Sequence, residues 1–160
     1  MSANPALIAS IPLPADVIER LLKAALDARQ HSHAPYSKYF VGAAVLDEHG
    51  RIHAGCNIEN AAYPQGWCAE TNALGHMIMG GGRVARAVMV TGAGSEIITP
   101  CGGCRQKLRE FARPEELIVI AGDASGVRAH WTLEQLLPAS FGPDHLKPSS
   151  STSPSTSTRS

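Results

Sequence analysis

The sequence predicts an α/β fold built on a mixed sheet, and two observations carry that expectation. From Arg86 onward, apolar runs of strand length alternate with helical patterns, the signature of strands paired in parallel. Ahead of them, "FVGAAVLDEHGRIHAGCNI" reads as a hairpin, whose two strands must be antiparallel. A chain of 160 residues has room for one domain with a real core.

The elements follow in order. "ADVIERLLKAALDAR" (15–29) sets Val17, Ile18, Leu21, Leu22, Ala25 and Leu26 at helical spacing. The polar "HSHAPYSK", with Pro35, ends that helix. The hairpin turns at Glu48–Gly50 and its second strand starts from Arg51. A helix is expected from Cys68 to Met79, stopped by Gly80, Gly81 and Gly82. "RAVMVTG" (86–92) is a buried strand, and a helix from Cys101 to Phe111 cannot continue through Pro114. "ELIVIAG" (116–122) is a second buried strand, "VRAHW" a short edge strand, and "LEQLL" a last helix closed by Pro138. Residues 1–14 read as an N-terminal extension and residues 15–146 as the domain. The Ser/Thr/Pro-rich segment 147–160 has nothing to bury and is expected to be disordered. No internal repeat is visible.

Composition narrows the partners. Fourteen basic residues balance fourteen acidic ones, without a basic run. A nucleic acid therefore finds no electrostatic footprint, and a small ligand is the expected partner. No stretch reaches the roughly 20 apolar residues that cross a bilayer. The first twenty residues lack a positive n-region, so no signal peptide is read and a cytoplasmic location is expected. Four cysteines, at 56, 68, 101 and 104, then point to metal or redox chemistry before disulfides.

The spacing of those cysteines is informative. Cys101 and Cys104 in "PCGGC" form a two-thiolate clip, and Cys68 stands in "CAE", two residues ahead of Glu70. Both segments open helices directly after strand-like runs, where unpaired N–H groups and positive potential favour thiolates. Three protein ligands on zinc leave a fourth position for water, the mark of a catalytic site, and Glu70 would stand beside it as proton carrier. The bare CxxC is also compatible with a redox pair or half of a structural zinc site. Cys56, in a strand-like run, reads as buried packing. His31, His33 and His76 show no paired ligand spacing.

Cys-Ala-Glu followed by Pro-Cys-x-x-Cys resembles the zinc nucleobase-deaminase signature, with cysteine in place of its first histidine. More narrowly, "APYSKYFVGAAVL", "GCNIENAAY", "CAE", "PCGGCRQ" and "LLPASFGP" are similar, in order, to segments of the small homotetrameric cytidine deaminases. The resemblance spans residues 15–146. It implies a three-layer α/β/α sandwich with a mixed five-stranded sheet. It also implies zinc-dependent hydrolysis of cytidine and deoxycytidine to uridine and deoxyuridine plus ammonia, a step of pyrimidine salvage. Cys68, Cys101 and Cys104 become the Zn2+ ligands and Glu70 the proton shuttle. Asn57 and Glu59 become ribose contacts, Tyr39 and Ala69 part of the substrate pocket. Phe141 is assigned to stacking on the base in a neighbouring subunit's site.

The sequence also departs from the family. Many relatives carry arginine directly after the catalytic glutamate, where it offsets the charge of three thiolates; here Thr71 stands. Compensation is left to the helix N-termini and to Arg105, whose other reading is an exposed helix residue. A carboxylate at Glu59 would repel a phosphate on the sugar, and no cluster awaits a 5′-phosphate, so a free nucleoside is favoured. Two alternatives stay open. One is a deaminase of another aminopyrimidine, such as the blasticidin S deaminases, which lack the Asn-x-Glu-Asn run. The other is a non-catalytic zinc or dithiol module.

Overall fold

The structure, a computed structural model, describes residues 5–146. The segment 147–160, expected to be disordered, lies outside the described residues. Helices α1 (Pro5–Ser10) and α2 (Ala15–Arg29) precede the hairpin β1 (Gly42–Asp47) and β2 (Ile52–Cys56). Then come α3 (Ala69–Met79), β3 (Ala85–Thr91), α4 (Gly102–Glu110), β4 (Ile118–Asp123), β5 (Gly126–Thr132) and α5 (Leu133–Leu136). The strands form one sheet in the order β2-β1-β3-β4-β5. The sheet is mixed, as expected, but only β3 and β4 pair in parallel. The reason is connection length: α4 is the one helical crossover between neighbouring strands, whereas β4 turns straight into β5 through Gly126 at φ 124°.

Side-chain alternation sorts the strands between two cores. Ala43, Val45, Val88, Val90 and Val119 face α3, α4 and α5, where Ala73, Leu74, Met77, Leu108 and Leu133 are buried. Ala44, Leu46, Ala87, Met89, Ile118 and Ile120 face α2, with Ile18, Leu21 and Ala25. This is the three-layer α/β/α arrangement. Burial on both faces explains why β1, β3 and β4 read as continuous apolar runs. The register shifts where Leu46 pairs with Ala87 and Asp47 with Ala85, leaving Arg86 as an inserted residue.

Helix α1 has no counterpart in the sequence reading. Prolines break the pattern there, yet the residues between them still reach the core: Ile11 is buried beside α2, with Leu7, Ile8 and Leu13 packed against the same cluster. Two glycines set layer spacing. A Cβ at Gly42 would sit 2.0 Å from the Ala25 carbonyl oxygen, and one at Gly55 would sit 2.4 Å from the Ala73 nitrogen. Gly55 thus lets α3 rest directly on the backbone of β2, which fixes the height of its first turn.

The end of β1 holds a buried carboxylate. Asp47 Oδ1 accepts from the backbone N–H groups of His49 and Arg51, and Oδ2 from Arg51 Nε at 2.8 Å and His53 Nε2 at 2.9 Å. Burial works to raise its pKa, but the His53 and Arg51 hydrogen bonds outweigh it and hold the carboxyl well below the usual range. A depressed folded pKa stabilises the fold above the unfolded carboxylate value, near about 4, and that contribution is lost as pH falls towards the folded value. Asp47→Asn is therefore expected to cost about 1–3 kcal/mol at neutral pH, with the gap to wild type closing on acidification below about pH 4. Denaturant titrations at the two pH values measure it; a gap that does not change with pH would show that the charge of Asp47 is not what stabilises this end of the sheet.

Candidate active site

Cys68 and Cys101 occupy equivalent places in the chain. Each is the N-cap residue of a helix, α3 and α4 respectively, with extended backbone at ψ 155° and ψ 165°. Neither caps its helix through its side chain, and the two sulfurs lie 3.8 Å apart. Cys104, one turn into α4, is buried, and the three sulfurs all lie within 4.8 Å of one another. Two helix N-termini therefore converge on three thiols.

The approach to Cys101 is held by Arg105. Its guanidinium donates to the carbonyls of Pro100 and Leu136, both at 2.7 Å, and to Thr99 Oγ1 at 2.8 Å. It is not the exposed residue that the sequence offered, and it hydrogen-bonds no thiol; it is a clamp on the loop ahead of Cys101.

The donor set suits zinc. Zn–S bonds of about 2.3 Å in a tetrahedron separate sulfurs by about 3.8 Å, the spacing between Cys68 and Cys101. Among the described residues, the metal-binding cluster contains only these three side chains, which leaves one tetrahedral position for solvent or substrate. One of the thiols, Cys68, is already poised to ionise. A hydrogen bond from Cys104 lowers the Cys68 pKa to about 6, aided by Cys101 and Lys107, against burial and the charge of Glu70. The same contact pushes Cys104 upward. A bound dication would draw all three to thiolates.

Glu70 belongs to the first turn of α3 and is buried, with Oε2 3.5 Å from Cys104 Sγ. Burial raises its pKa. It lines a cavity of about 300 Å³ with Tyr39, Asn57, Cys68, Ala69 and Cys101. The sequence-predicted Glu70, Cys68, Cys101, Tyr39, Asn57 and Ala69 thus share one wall system. The Tyr39 hydroxyl lies against the backbone just past β3, 2.8 Å from where a Cβ at Gly92 would stand. A second cavity, of about 550 Å³, adjoins through Asn57 and Cys68 and contains Glu59, Tyr36, Tyr63 and Trp67. Both volumes fit small-molecule sites, about 300–1,000 Å³.

Asn57 and Glu59 have structural duties as well. Asn57 Oδ1 accepts from Val41 N–H and its amide donates to the Tyr39 carbonyl, both at 2.9 Å. Glu59 accepts from the Tyr36 and Ser37 N–H groups at 2.9 and 3.2 Å, and from the Ser37 hydroxyl. The Ser37 hydrogen bond leads in holding its carboxyl below the ordinary value. Phe141 is the member that the fold does not bring in. It lines neither cavity, is exposed, stacks on His145 at 5.1 Å, and its carbonyl accepts from Gln106 of α4.

Comparison with known proteins decides the family. The model of the cytidine and deoxycytidylate deaminase zinc-binding region matches residues 15–121. The chain belongs to this family. Within it, the cytidine deaminase of Sporosarcina psychrophila is 38% identical over 132 residues, covering 81% of this chain and 94% of that protein. The cytidine deaminase of Mycobacterium tuberculosis is 41% identical over 123 residues, 76% of this chain and 87% of its own. The crystal structure of cytidine deaminase from Burkholderia pseudomallei superposes with a TM-score of 0.71 at 38% identity, covering 77% of this chain and 98% of that one. The zinc of the deaminase family and the three-cysteine cluster agree. Among the described residues, no helix is long and apolar enough to cross a membrane.

The sequence reading of this deaminase missed Lys107. Its ammonium donates to Thr71 Oγ1 at 3.0 Å, and that hydroxyl lies 3.6 Å from Cys104 Sγ. The signal was present: Lys107 stands three residues after Cys104, on the same helical face.

Proposed function

We propose that this chain hydrolyses cytidine and deoxycytidine to uridine and deoxyuridine with release of ammonia. The carrying observation is the buried Glu70 carboxylate beside a three-thiol cluster at the wall of a small cavity. Cys68, Cys101 and Cys104 hold the zinc. Bound there, it supplies a Lewis acid that acidifies water at neutral pH. Glu70 takes the proton of the attacking water and delivers it to N3 of the pyrimidine. It then carries the proton of the new C4 hydroxyl to the departing amine, leaving the C4 carbonyl, so that cytidine and water become uridine and ammonia. A carboxylate whose pKa is raised by burial is suited to carry a proton in both directions.

Tyr39 and Ala69 wall the base, and Asn57 and Glu59 receive the sugar in the adjoining cavity. Glu59 has one oxygen that accepts only from Ser37, which leaves acceptor capacity for a hydroxyl. Ammonia release from cytidine by the purified protein tests the reading. Activity on another aminopyrimidine but not on cytidine would favour the first alternative, and none at all the non-catalytic module.

In this reading residues 15–146 form the catalytic domain, the enzyme works in the cytoplasm, and it assembles as a homotetramer in which Phe141 closes a neighbour's site. Support comes from the exposed ring of Phe141 and its absence from its own cavities. Mixing Phe141→Ala subunits with Glu70→Gln subunits is expected to restore activity, because a mixed assembly pairs an intact Phe141 with an intact Glu70. Verified mixed oligomers that recover nothing would return Phe141 to its own subunit.

A further inference from the structure

Three thiolates on a zinc dication leave the site one negative charge in excess, and an ionised Glu70 adds another. A site so charged holds its ligands poorly against protons and weakens the acidity that catalysis draws on. Arg105 makes no hydrogen bond to a sulfur: its guanidinium donates to the carbonyls of Pro100 and Leu136 and to the Thr99 hydroxyl.

Another cation is in place. Lys107 Nζ lies 3.0 Å from Thr71 Oγ1, and Thr71 Oγ1 lies 3.6 Å from Cys104 Sγ. An ammonium has only donors, so Thr71 must accept from it. The Thr71 hydroxyl hydrogen is thereby turned away from Lys107 and towards the sulfur. A hydroxyl polarised by a charged donor is also a stronger donor itself. The two residues come from different helices, α3 and α4, so the bridge spans the same gap as the ligands. Glu70 also contacts the Cys104 sulfur, at 3.5 Å.

We propose that Lys107, acting through the Thr71 hydroxyl, is the cation that balances the Cys104 thiolate of the zinc site. This rests on the zinc-site reading above. Lys107 and Thr71 are positioning residues: they touch neither zinc nor substrate, and act on the electron density of one ligand.

The test uses zinc-loaded enzyme in competition with a chromogenic chelator, alongside steady-state kinetics on cytidine. Lys107→Met should weaken zinc retention about tenfold, the lower end for loss of an outer partner of a metal ligand. It should lower kcat with little change in KM. Lys107 is exposed, so the fold is not at risk. Lys107→Arg, which keeps the charge, should recover most of the loss. Thr71→Val, which keeps the shape and removes the hydroxyl, should match Lys107→Met. The double variant should be no worse than either single one, since the residues act in series. Unchanged zinc retention in Lys107→Met, or losses that add in the double variant, would overturn the proposal. Zinc retained by Cys101→Ala would instead strike at the site reading on which it rests.

Discussion

Replacing Glu70 by glutamine will lower turnover about 10²–10⁴-fold, the range of a lost general acid–base, while zinc content stays at the wild-type level. The side chain lies in the first turn of α3, buried, 3.5 Å from the Cys104 sulfur and on the wall of the cavity of about 300 Å³. Glutamine keeps the volume and can still donate and accept hydrogen bonds, so the cavity retains its shape. What disappears is a group able to hold a proton between its arrival from water and its delivery to the ring. Metal analysis and single-turnover rates on the same preparation separate the two effects. A variant keeping about a tenth of the wild-type rate would remove Glu70 from that role.

The second large effect concerns the metal. Cys101→Ala will strip most of the zinc and with it nearly all activity, whereas Cys56→Ala will keep both. Cys101 contributes one of three sulfurs gathered within 4.8 Å, and a site reduced to two thiolates has lost a third of its donors. Cys56 ends β2, is half-buried, and lies outside that cluster. Burial raises its pKa, which keeps it a neutral thiol. Its carbonyl, by contrast, is used: Asn72 donates to it at 2.7 Å. Zinc lost from Cys56→Ala would make the site a four-cysteine structural one.

How much the sequence disclosed depended on the kind of physics involved. Local chemistry was legible. The helical spacing from Val17 to Leu26, the apolar runs of β1, β3 and β4, and the helix starts at Cys68 and Cys101 each have a signal within a few residues. Contacts made across the fold were not. Helix α1 was hidden because Pro12 and Pro14 break the pattern while leaving Ile11 free to reach the core. Asp47 carried no signal of its buried role, since its four donors from three other residues come together only once the hairpin closes. Arg105 was misread because Leu136, one of its partners, lies 31 positions away. Lys107 stands on the Cys104 face of its helix, but its partner Thr71, 36 positions earlier, is brought to it only by the fold.

The segment between α2 and β1 has a thermodynamic consequence. It has no regular structure over most of its length, and Lys38 adopts φ 57°, a left-handed conformation that costs a non-glycine residue about 1 kcal/mol. Left to itself, such a loop would sample many shapes, and a ligand would have to order it on arrival. Here Glu59 fastens residues 36 and 37, Asn57 fastens 39 and 41, and Ser32 donates to the Val41 carbonyl at 2.9 Å. The conformational entropy of the loop is therefore surrendered during folding, where the whole core contributes to offset it. A nucleoside meets a wall that is already set, and more of its contact energy remains for affinity and for the reaction.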